Sequence, residues 1–267
     1  MREAGARVSG PAAAIEVEAL LRHVTGLSRA GLYSRLDQII DTAAAEEYFD
    51  LIERLKNGEP LQYLTGHIEF YGLDFTVSPD VLIPRPETEL MVERALDIAK
   101  GYSSPVIADI GCGSGAVAVT LSKHLPGSTV IAVDISSGVL DLTRRNAAFH
   151  GCSNIEFVES DLLESLGDRR IDIICANLPY VPAVEAQGNR FEPQLALDGG
   201  PDGLDIIRRL VSQVAGRPNK PGWLLLEFGT GQTTAVQTII DKYLPGSRTV
   251  IHRDLIPLDR LSVTELI

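Results

Sequence analysis

Cysteine, aromatic residues and long apolar runs are scarce in this chain, and each scarcity excludes a class of protein. Only three of its 267 residues are cysteine, and Cys112, Cys152 and Cys175 lack the paired spacing of a zinc site. The five histidines are scattered, without an i, i+4 pair. No apolar run approaches the roughly 20 residues of a membrane-spanning helix, and residues 1–10 do not resemble a secretory signal. We expect packed, reduced thiols, no metal and a cytoplasmic protein.

Positive charge is also in short supply. The chain has 24 lysines and arginines against 36 aspartates and glutamates, a formal net charge of −12. A surface with that field repels a phosphate backbone and attracts a basic polypeptide. Because 45% of the residues are hydrophobic, the chain can still form a well-packed globular core. Composition therefore favours a protein partner over a nucleic acid.

The first 66 residues have a helical pattern. Ile15, Ala19 and Leu20 fall on one face of a predicted helix, and Ser28 and Asp41 are predicted N-caps of later helices. No strand-like alternation interrupts this region. We predict a small N-terminal helical domain over residues 1–66, too small to carry chemistry alone.

Strand patterns begin after residue 66. Alternating apolar residues around Gly72 predict a β-hairpin, which makes residues 67–82 a candidate linker. Residues 83–267 then alternate apolar runs with helical segments, as in a mostly parallel sheet covered on both faces. The last two runs have no helix between them, so we expect an antiparallel pair at one edge. The fold class is α/β.

A glycine-rich turn follows the first apolar run of this second region. Its spacing is G-x-G-x-G, and Asp109 precedes it at the predicted strand end. Glycines allow the backbone to pass close to a ligand, and a helix start offers N–H groups. Asp109 can receive the ammonium group of an amino-acid ligand. The alternative is an ordinary tight turn. The residues of the turn itself are Gly111, Cys112, Gly113, Ser114 and Gly115.

Two further acidic residues end the next two predicted strands. Asp134 can accept hydrogen bonds from the ribose hydroxyls of a nucleoside, although it can also cap the following helix. Asp161 can accept a hydrogen bond from an adenine amino group, and Leu162 can pack on the ring. Taken alone, these two residues are also compatible with a plain strand-to-loop transition. Together with the glycine turn they predict one crevice at the carboxyl ends of parallel strands.

A fourth predicted strand ends in Asn177, Leu178, Pro179 and Tyr180. The Asn177 side chain and the Leu178 backbone each offer a carbonyl oxygen, Pro179 stiffens the turn, and Tyr180 offers an aromatic plane. Two acceptors and a ring suit a planar –NH2 group. Its nitrogen is a poor nucleophile, so orienting it beside a methyl donor is the chemistry such a site can perform. The alternative is a plain β-turn that begins with asparagine.

Two other segments allow a functional and a structural interpretation. Residues 84–88, Pro-Arg-Pro-Glu-Thr, can form a stiff lid over the transfer site or simply begin a helix at Pro86. Arg85 can instead pair with surface acids. Glu227 and Gln232 are predicted to be structural more than functional.

These motifs resemble the HemK/PrmC family of protein-(glutamine-N5) methyltransferases, which modify peptide chain release factors. The resemblance extends from about residue 15 to the C-terminus, and it rests on Pro-Leu-Gln-Tyr-Leu-Thr-Gly at 60–66, Ile-Pro-Arg-Pro-Glu-Thr at 83–88, the glycine turn, and Asn-Leu-Pro-Tyr at 177–180. It implies a helical N-terminal domain that docks substrate, a hairpin linker and a Rossmann-like domain that binds S-adenosylmethionine (SAM). The implied acceptor is the glutamine of a Gly-Gly-Gln loop.

Carried over by position, the family's cofactor contacts and acceptor contacts fall on two sets of residues. The set implied for SAM is Asp109, Gly111, Cys112, Gly113, Ser114, Gly115, Asp134, Asp161, Leu162 and Asn177. The set implied for the glutamine amide is Asn177, Leu178, Pro179 and Tyr180. Leu178 departs from the family, which usually has a proline there, and the N-terminal region is short.

We therefore predict a monomeric release factor glutamine methyltransferase that does not bind nucleic acid or membrane. Two other functions remain to be distinguished. One is an adenine-N6 methyltransferase acting on DNA or RNA, since adenine also presents a planar –NH2 group, but such an enzyme needs basic and aromatic surface to flip out a base. The other is a non-catalytic NAD-binding regulator.

Overall fold

The computed structural model describes residues 13–266, and the chain divides into two compact units between His67 and Ile68. The first unit is helical, as predicted. Side chains from its helices, with Leu20 and Ile52 fully buried, form a separate hydrophobic core. Its helices are α1 (Ala13–Thr25), α2 (Arg29–Tyr33), α3 (Thr42–Lys56) and α4 (Leu61–Thr65).

Local capping explains where two of these helices begin. The Ser28 hydroxyl accepts a hydrogen bond from the Gly31 N–H, and the Asp41 carboxylate accepts one from the Ala44 N–H. Both predicted N-caps are confirmed. The predicted face of α1 is wrong in part, because Ile15 is 69% exposed whereas Leu20 is buried. The buried face is the one that contains Val17 and Leu21.

The second unit opens with the predicted β-hairpin, β1 (His67–Phe70) and β2 (Leu73–Thr76). Its two-residue turn is Tyr71-Gly72, and both residues have positive φ, which suits the twist of a tight hairpin. Phe70 and Phe75 are fully buried and pack in the core of the second unit. The hairpin is thus attached to the α/β unit by its aromatic side chains.

A seven-stranded sheet forms the centre of the second unit. Its strand order is β5-β4-β3-β6-β7-β9-β8. All strands are parallel except β9, which is antiparallel to both of its neighbours, β7 and β8, so the predicted antiparallel edge pair is confirmed. The strands are β3 (Val106–Ile110), β4 (Thr129–Asp134), β5 (Ile155–Glu159), β6 (Ile173–Ala176), β7 (Trp223–Glu227), β8 (Arg248–Arg253) and β9 (Asp259–Glu265).

Helices cover both faces of this sheet, and two hydrophobic clusters fill the space between. The helices are α5 (Glu89–Ala99), α6 (Ala116–His124), α7 (Ser137–Phe149), α8 (Ala183–Ala186), α9 (Gln194–Leu197), α10 (Asp205–Gly216) and α11 (Thr233–Tyr243). Short 3-10 helices occupy Pro86–Thr88 and Glu164–Leu166. The apolar strands are buried on both sides, as their unbroken hydrophobic runs predict.

The direction of chain progression reverses between β3 and β6, which lie side by side although two strands separate them in sequence. Open α/β sheets bind ligands at such a point, beyond the carboxyl ends of the strands. Between residues 13 and 266, no helix is long and apolar enough to cross a membrane.

Candidate active site

A cavity of about 390 Å³ opens where β3, β4, β5 and β6 end. This volume lies within the range of small-molecule sites. The cavity brings together every residue that the sequence assigned to the cofactor except Gly115, and three of the four assigned to the acceptor. Its lining includes Asp109, Gly111, Cys112, Gly113, Ser114, Asp134, Asp161, Leu162, Asn177, Leu178 and Pro179.

The glycine turn needs its glycines for steric reasons. Gly111, Gly113 and Gly115 have φ values of +74°, +55° and +82°, which side chains rarely tolerate. A Cβ on Gly115 would lie 2.5 Å from Thr143 Cγ2, whereas one on Gly113 would meet nothing within 4 Å. Gly115 therefore permits close packing of the turn against α7, and Gly113 leaves space open.

The turn is also fixed by hydrogen bonds. The N–H groups of Gly111 and Cys112 both donate to the Val133 carbonyl, at 2.8 and 2.9 Å. The Thr143 hydroxyl donates to the Gly113 carbonyl at 2.8 Å. These hydrogen bonds hold the turn in shape.

Asp109 is buried under the turn. One of its oxygens accepts a hydrogen bond from the Ala118 N–H, in the first turn of α6, at 3.0 Å. Burial raises the pKa of Asp109 to about 7, the Ala118 hydrogen bond opposes the rise, and the Asp134 carboxylate adds to it. A neighbouring cation would therefore stabilise the charged form of the Asp109 carboxyl group.

Asp134 does not cap α7; Ser136 is the N-cap, and its hydroxyl accepts a hydrogen bond from the Val139 N–H. The Asp134 carboxylate instead accepts N–H groups from Gly113 and Ser136, each at 3.1 Å. Burial raises its pKa, and these backbone hydrogen bonds oppose the shift. Asp134 thus links β4 to the glycine turn at the edge of the cavity.

Asp161 follows β5 and pairs with Arg209 of α10 at 2.6 Å. Leu162 next to it has a φ of +53°, a left-handed conformation unusual for leucine. Arg209 lines the cavity, and sequence reasoning missed it. Nothing in the local sequence distinguishes it from any other helical arginine.

The Asn177 side chain lies at the cavity, where the prediction requires it. Its Nδ2 atom donates to the Thr88 hydroxyl at 3.0 Å. Leu178 is 4% exposed and packs into the hydrophobic core behind the turn. Its side chain would lie 3.2 Å from a Cβ on Gly111. The leucine side chain therefore fills space behind the turn.

Tyr180 points elsewhere than expected. It does not line the cavity; its hydroxyl donates to Glu227 at 3.2 Å, and its carbonyl accepts a hydrogen bond from Gln232 Nε2 at 2.9 Å. Burial and the neighbouring Glu227 carboxylate raise the pKa of the Tyr180 phenol. The stacking role assigned to this ring stays a prediction, as does the structural role assigned to Gln232, whose side chain bonds to backbone groups of Tyr180 and Gly229.

The segment before α5 begins a helix at Pro86, as one interpretation predicts, and it also borders the cavity; its role as a lid stays a prediction. Pro86 begins a 3-10 helix, and Pro84 and Thr88 line the cavity. Arg85 Nη2 lies 2.6 Å from each carboxylate oxygen of Glu192. Glu192 is 7% exposed, so the partner of Arg85 is a buried acid and not the surface acid expected.

The three cysteines are free, and one of them, Cys112, lines the cavity. Cys112 and Cys175 are buried free thiols, and Cys152 is half-buried. Burial, together with the Asp109 carboxylate, raises the pKa of the Cys112 and Cys175 thiols well above the usual value, so both stay protonated. Among residues 13–266, no group of three or more His, Cys, Asp or Glu side chains is arranged to hold a metal.

Comparison with known proteins identifies the family. Residues 4–66 match the PrmC N-terminal domain, and residues 107–189 match a methyltransferase domain. The release factor glutamine methyltransferase of Geobacter sulfurreducens is 43% identical over 84% of this chain and 80% of its own length. The chain belongs to the release factor glutamine methyltransferase family. Its relative of the same name in Neisseria gonorrhoeae is 39% identical over 93% of this chain and 92% of its own length.

Solved structures agree on the fold of this family member. The ribosomal protein L11 methylase from Lactobacillus delbrueckii subsp. bulgaricus aligns with a TM-score of 0.53 at 19% identity, over 72% of this chain and 84% of its own. The hMettl16 catalytic domain, in complex with MAT2A 3'UTR hairpin 1, aligns with a TM-score of 0.59 at 15% identity, over 84% and 80%. At these identities the likeness concerns the Rossmann-like methyltransferase fold alone.

Proposed function

We propose that this enzyme transfers a methyl group from SAM to the side-chain amide nitrogen (N5) of the glutamine in the Gly-Gly-Gln loop of peptide chain release factors. One observation carries the proposal: Asn177 and the glycine turn line the same cavity, at the reversal point of the sheet. The family of the chain supports the choice of acceptor.

The residues of the cavity fit SAM on four counts. The volume is adequate, and the glycine turn leaves space that side chains would fill. Three acids stand at successive strand ends: Asp109 suits the ammonium group, Asp134 the ribose hydroxyls, and Asp161 the adenine amino group. Leu162 offers an apolar contact for the ring. When bound, SAM supplies a methyl group on a positively charged sulfur.

The protein's own part in the reaction is to hold and orient the amide. The Asn177 side-chain oxygen and the Leu178 carbonyl accept hydrogen bonds from the two amide protons, and Pro179 keeps the two acceptors in place. Orientation of this kind is worth roughly 7–11 kcal/mol at its limit. No general base is required, because the methylated nitrogen loses its proton readily to solvent.

The acceptor is tested with labelled SAM. We expect the label in a release factor with an intact Gly-Gly-Gln loop and none in a variant with that glutamine replaced by alanine, or in DNA and RNA. The variant Asn177→Ala should bind SAM yet lose nearly all transfer. Labelling of nucleic acid, or full activity in Asn177→Ala, would refute the proposal. A monomeric state and a cytoplasmic location remain predictions.

A further inference from the structure

The side chains of Asn177, Thr88 and Glu227 form a continuous chain of hydrogen bonds behind the acceptor turn. Asn177 Nδ2 donates to Thr88 Oγ1 at 3.0 Å, and Thr88 Oγ1 donates to Glu227 Oε2 at 2.7 Å. The second oxygen of Glu227, Oε1, accepts the Tyr180 hydroxyl at 3.2 Å. One carboxylate therefore holds both the first and the last residue of the 177–180 turn.

Sheet register brings these groups together. β6 and β7 are parallel neighbours, with Ala176 paired to Leu226, so Asn177 and Glu227 are the next residues along each strand. Thr88 arrives from the 3-10 helix that ends at the start of α5. Glu227 and Thr88 are 1% and 4% exposed, so water cannot readily replace either partner.

The direction of each hydrogen bond in this chain is dictated by the carboxylate. Burial raises the pKa of Glu227 to about 7, so the group is ionised above that pH. An ionised carboxylate only accepts, so the Thr88 hydroxyl must then give its proton to Glu227. The Thr88 oxygen then has only lone pairs to offer Asn177, so the amide of Asn177 must present its Nδ2 donor there. The Oδ1 atom is thereby directed away from Thr88, and it accepts no hydrogen bond from residues 13–266.

This orientation matters because the group to be methylated, a glutamine side-chain amide, has two N–H groups to donate. A glutamine –NH2 can donate to Asn177 Oδ1, but it would meet a second donor if the Asn177 amide were turned over. We propose that Thr88 and Glu227 are positioning residues, which fix the Asn177 side chain with its oxygen toward the substrate amide. The inference rests on the proposed function and adds two residues to its machinery.

The decisive comparison is Thr88→Val against Thr88→Ser. Valine keeps the shape of threonine and removes the hydroxyl, whereas serine keeps the hydroxyl. At saturating SAM and about pH 8, where Glu227 is ionised, we expect Thr88→Val to lower kcat on the release factor about a hundredfold. The KM for the release factor and the Kd for SAM should change less than about threefold. Thr88→Ser should stay within about threefold of the wild type in all three quantities.

A second measurement is independent of activity. In protein labelled with 15N-asparagine, the Asn177 side-chain amide, assigned by its loss in Asn177→Asp, should exchange slowly with solvent in the wild type and Thr88→Ser. It should exchange faster in Thr88→Val. Glu227→Gln, which offers a donor beside its single acceptor, permits both orientations, so we expect an intermediate loss of kcat of about tenfold.

The outcomes separate this inference from the proposed function. If the wild type fails to methylate the release factor, the proposed function fails, and the amide exchange still tests the orientation of Asn177. If the wild type is active but Thr88→Val retains its kcat, or its Asn177 amide exchanges as in the wild type, the positioning role is refuted. A loss confined to SAM affinity, or shared equally by Thr88→Ser, refutes it as well.

Discussion

The carboxyl group of Asp109 accepts a hydrogen bond from the Ala118 N–H across 3.0 Å, and so connects the end of β3 to the first turn of α6. The same acid lines the cavity, where the proposed function gives it the ammonium group of SAM. It therefore has a structural partner and a proposed ligand at once. Its protonation state in the absence of SAM decides how strongly it can attract that cation.

The first prediction concerns the pH dependence of SAM binding. Because burial raises the pKa of Asp109 to about 7, the acid is mostly neutral below that pH and must lose its proton to attract the ammonium group. The Kd for SAM should fall as pH rises from about 5.5 to 7, by up to about tenfold per pH unit. Isothermal titration calorimetry at several pH values measures it.

Asp109→Asn is the control for this titration. Asparagine can still accept the Ala118 hydrogen bond, but it carries no charge at any pH. We expect the variant to bind SAM weakly, with a much smaller pH dependence. Asp134 is also a buried acid with a raised pKa, so an unchanged slope in Asp109→Asn would assign the effect to Asp134.

The second prediction concerns the packing of the glycine turn. In Gly115→Ala the new Cβ meets Thr143 Cγ2 at 2.5 Å, and φ stays at +82°. The left-handed conformation alone costs about 1–2 kcal/mol, and overpacking adds about 1–3 kcal/mol. We expect the free energy of unfolding, measured by chemical denaturation, to fall by the sum.

Thr143→Ser separates these two costs. Serine removes Cγ2 and keeps the hydroxyl that donates to the Gly113 carbonyl. The double variant Gly115→Ala, Thr143→Ser should recover the packing cost and keep the backbone cost, so the two substitutions should be coupled. Strict additivity of the two changes would show that the clash is relieved in some other way.

Local patterns predicted much of this structure. The strand ends that provide Asp109, Asp134 and Asp161, the glycine turn, and the caps Ser28 and Asp41 were all placed correctly, because each depends on a few consecutive residues. The buried face of α1 was not predicted correctly. Ile15 and Val17 are both apolar, and which of them is buried depends on residues of other helices, such as Ile52. The sequence pattern within α1 does not contain that information.

Contacts distant in sequence were beyond prediction for the same reason. Thr88 and Asn177 are 89 residues apart, and Arg209 and Asp161 are 48 apart. Only the completed sheet brings these pairs within hydrogen-bond distance. Glu227 stands at a strand end like the acids of the cavity, and its partners became visible only in the register of β6 and β7.

The third prediction separates packing from chemistry at Leu178. The proposed role of this residue uses its backbone carbonyl, while its side chain fills the core beside Gly111. Leu178→Ala should lower the free energy of unfolding by about 2–5 kcal/mol through the cavity it leaves, and reduce kcat far less than Asn177→Ala does. Thermal unfolding and steady-state methylation measure the two effects.

Leu178→Met, which conserves volume, should cost less than about 1.5 kcal/mol and remain active. If Leu178→Ala lost as much kcat as Asn177→Ala while still folded, the side chain and not the carbonyl would be the important part of the residue.

The fourth prediction is a stability difference that depends on pH at Glu227. Burial raises the pKa of Glu227 to about 7; hydrogen bonds from Thr88 and Tyr180 and the charge of Arg260 oppose the rise, and the Glu87 carboxylate adds to it. A carboxyl group with a folded pKa above its unfolded value stabilises the fold at low pH. That contribution is lost as pH rises through about 7.

Glu227→Gln removes the charge and keeps the shape, so it should unfold at a higher temperature than the wild type at about pH 8, and the difference should shrink as pH falls toward 5. Differential scanning calorimetry across this range measures it.

Asp97→Asn is a matched control, because Asp97 is exposed and its pKa is lowered by Lys100, so its removal should not stabilise the fold at high pH. An equal or lower unfolding temperature for Glu227→Gln at pH 8 would mean that the hydrogen bonds to the ionised carboxylate outweigh its desolvation. A more stable variant that turns over more slowly would instead mean that the ionised acid is kept at a cost in stability for the orientation it imposes on Asn177.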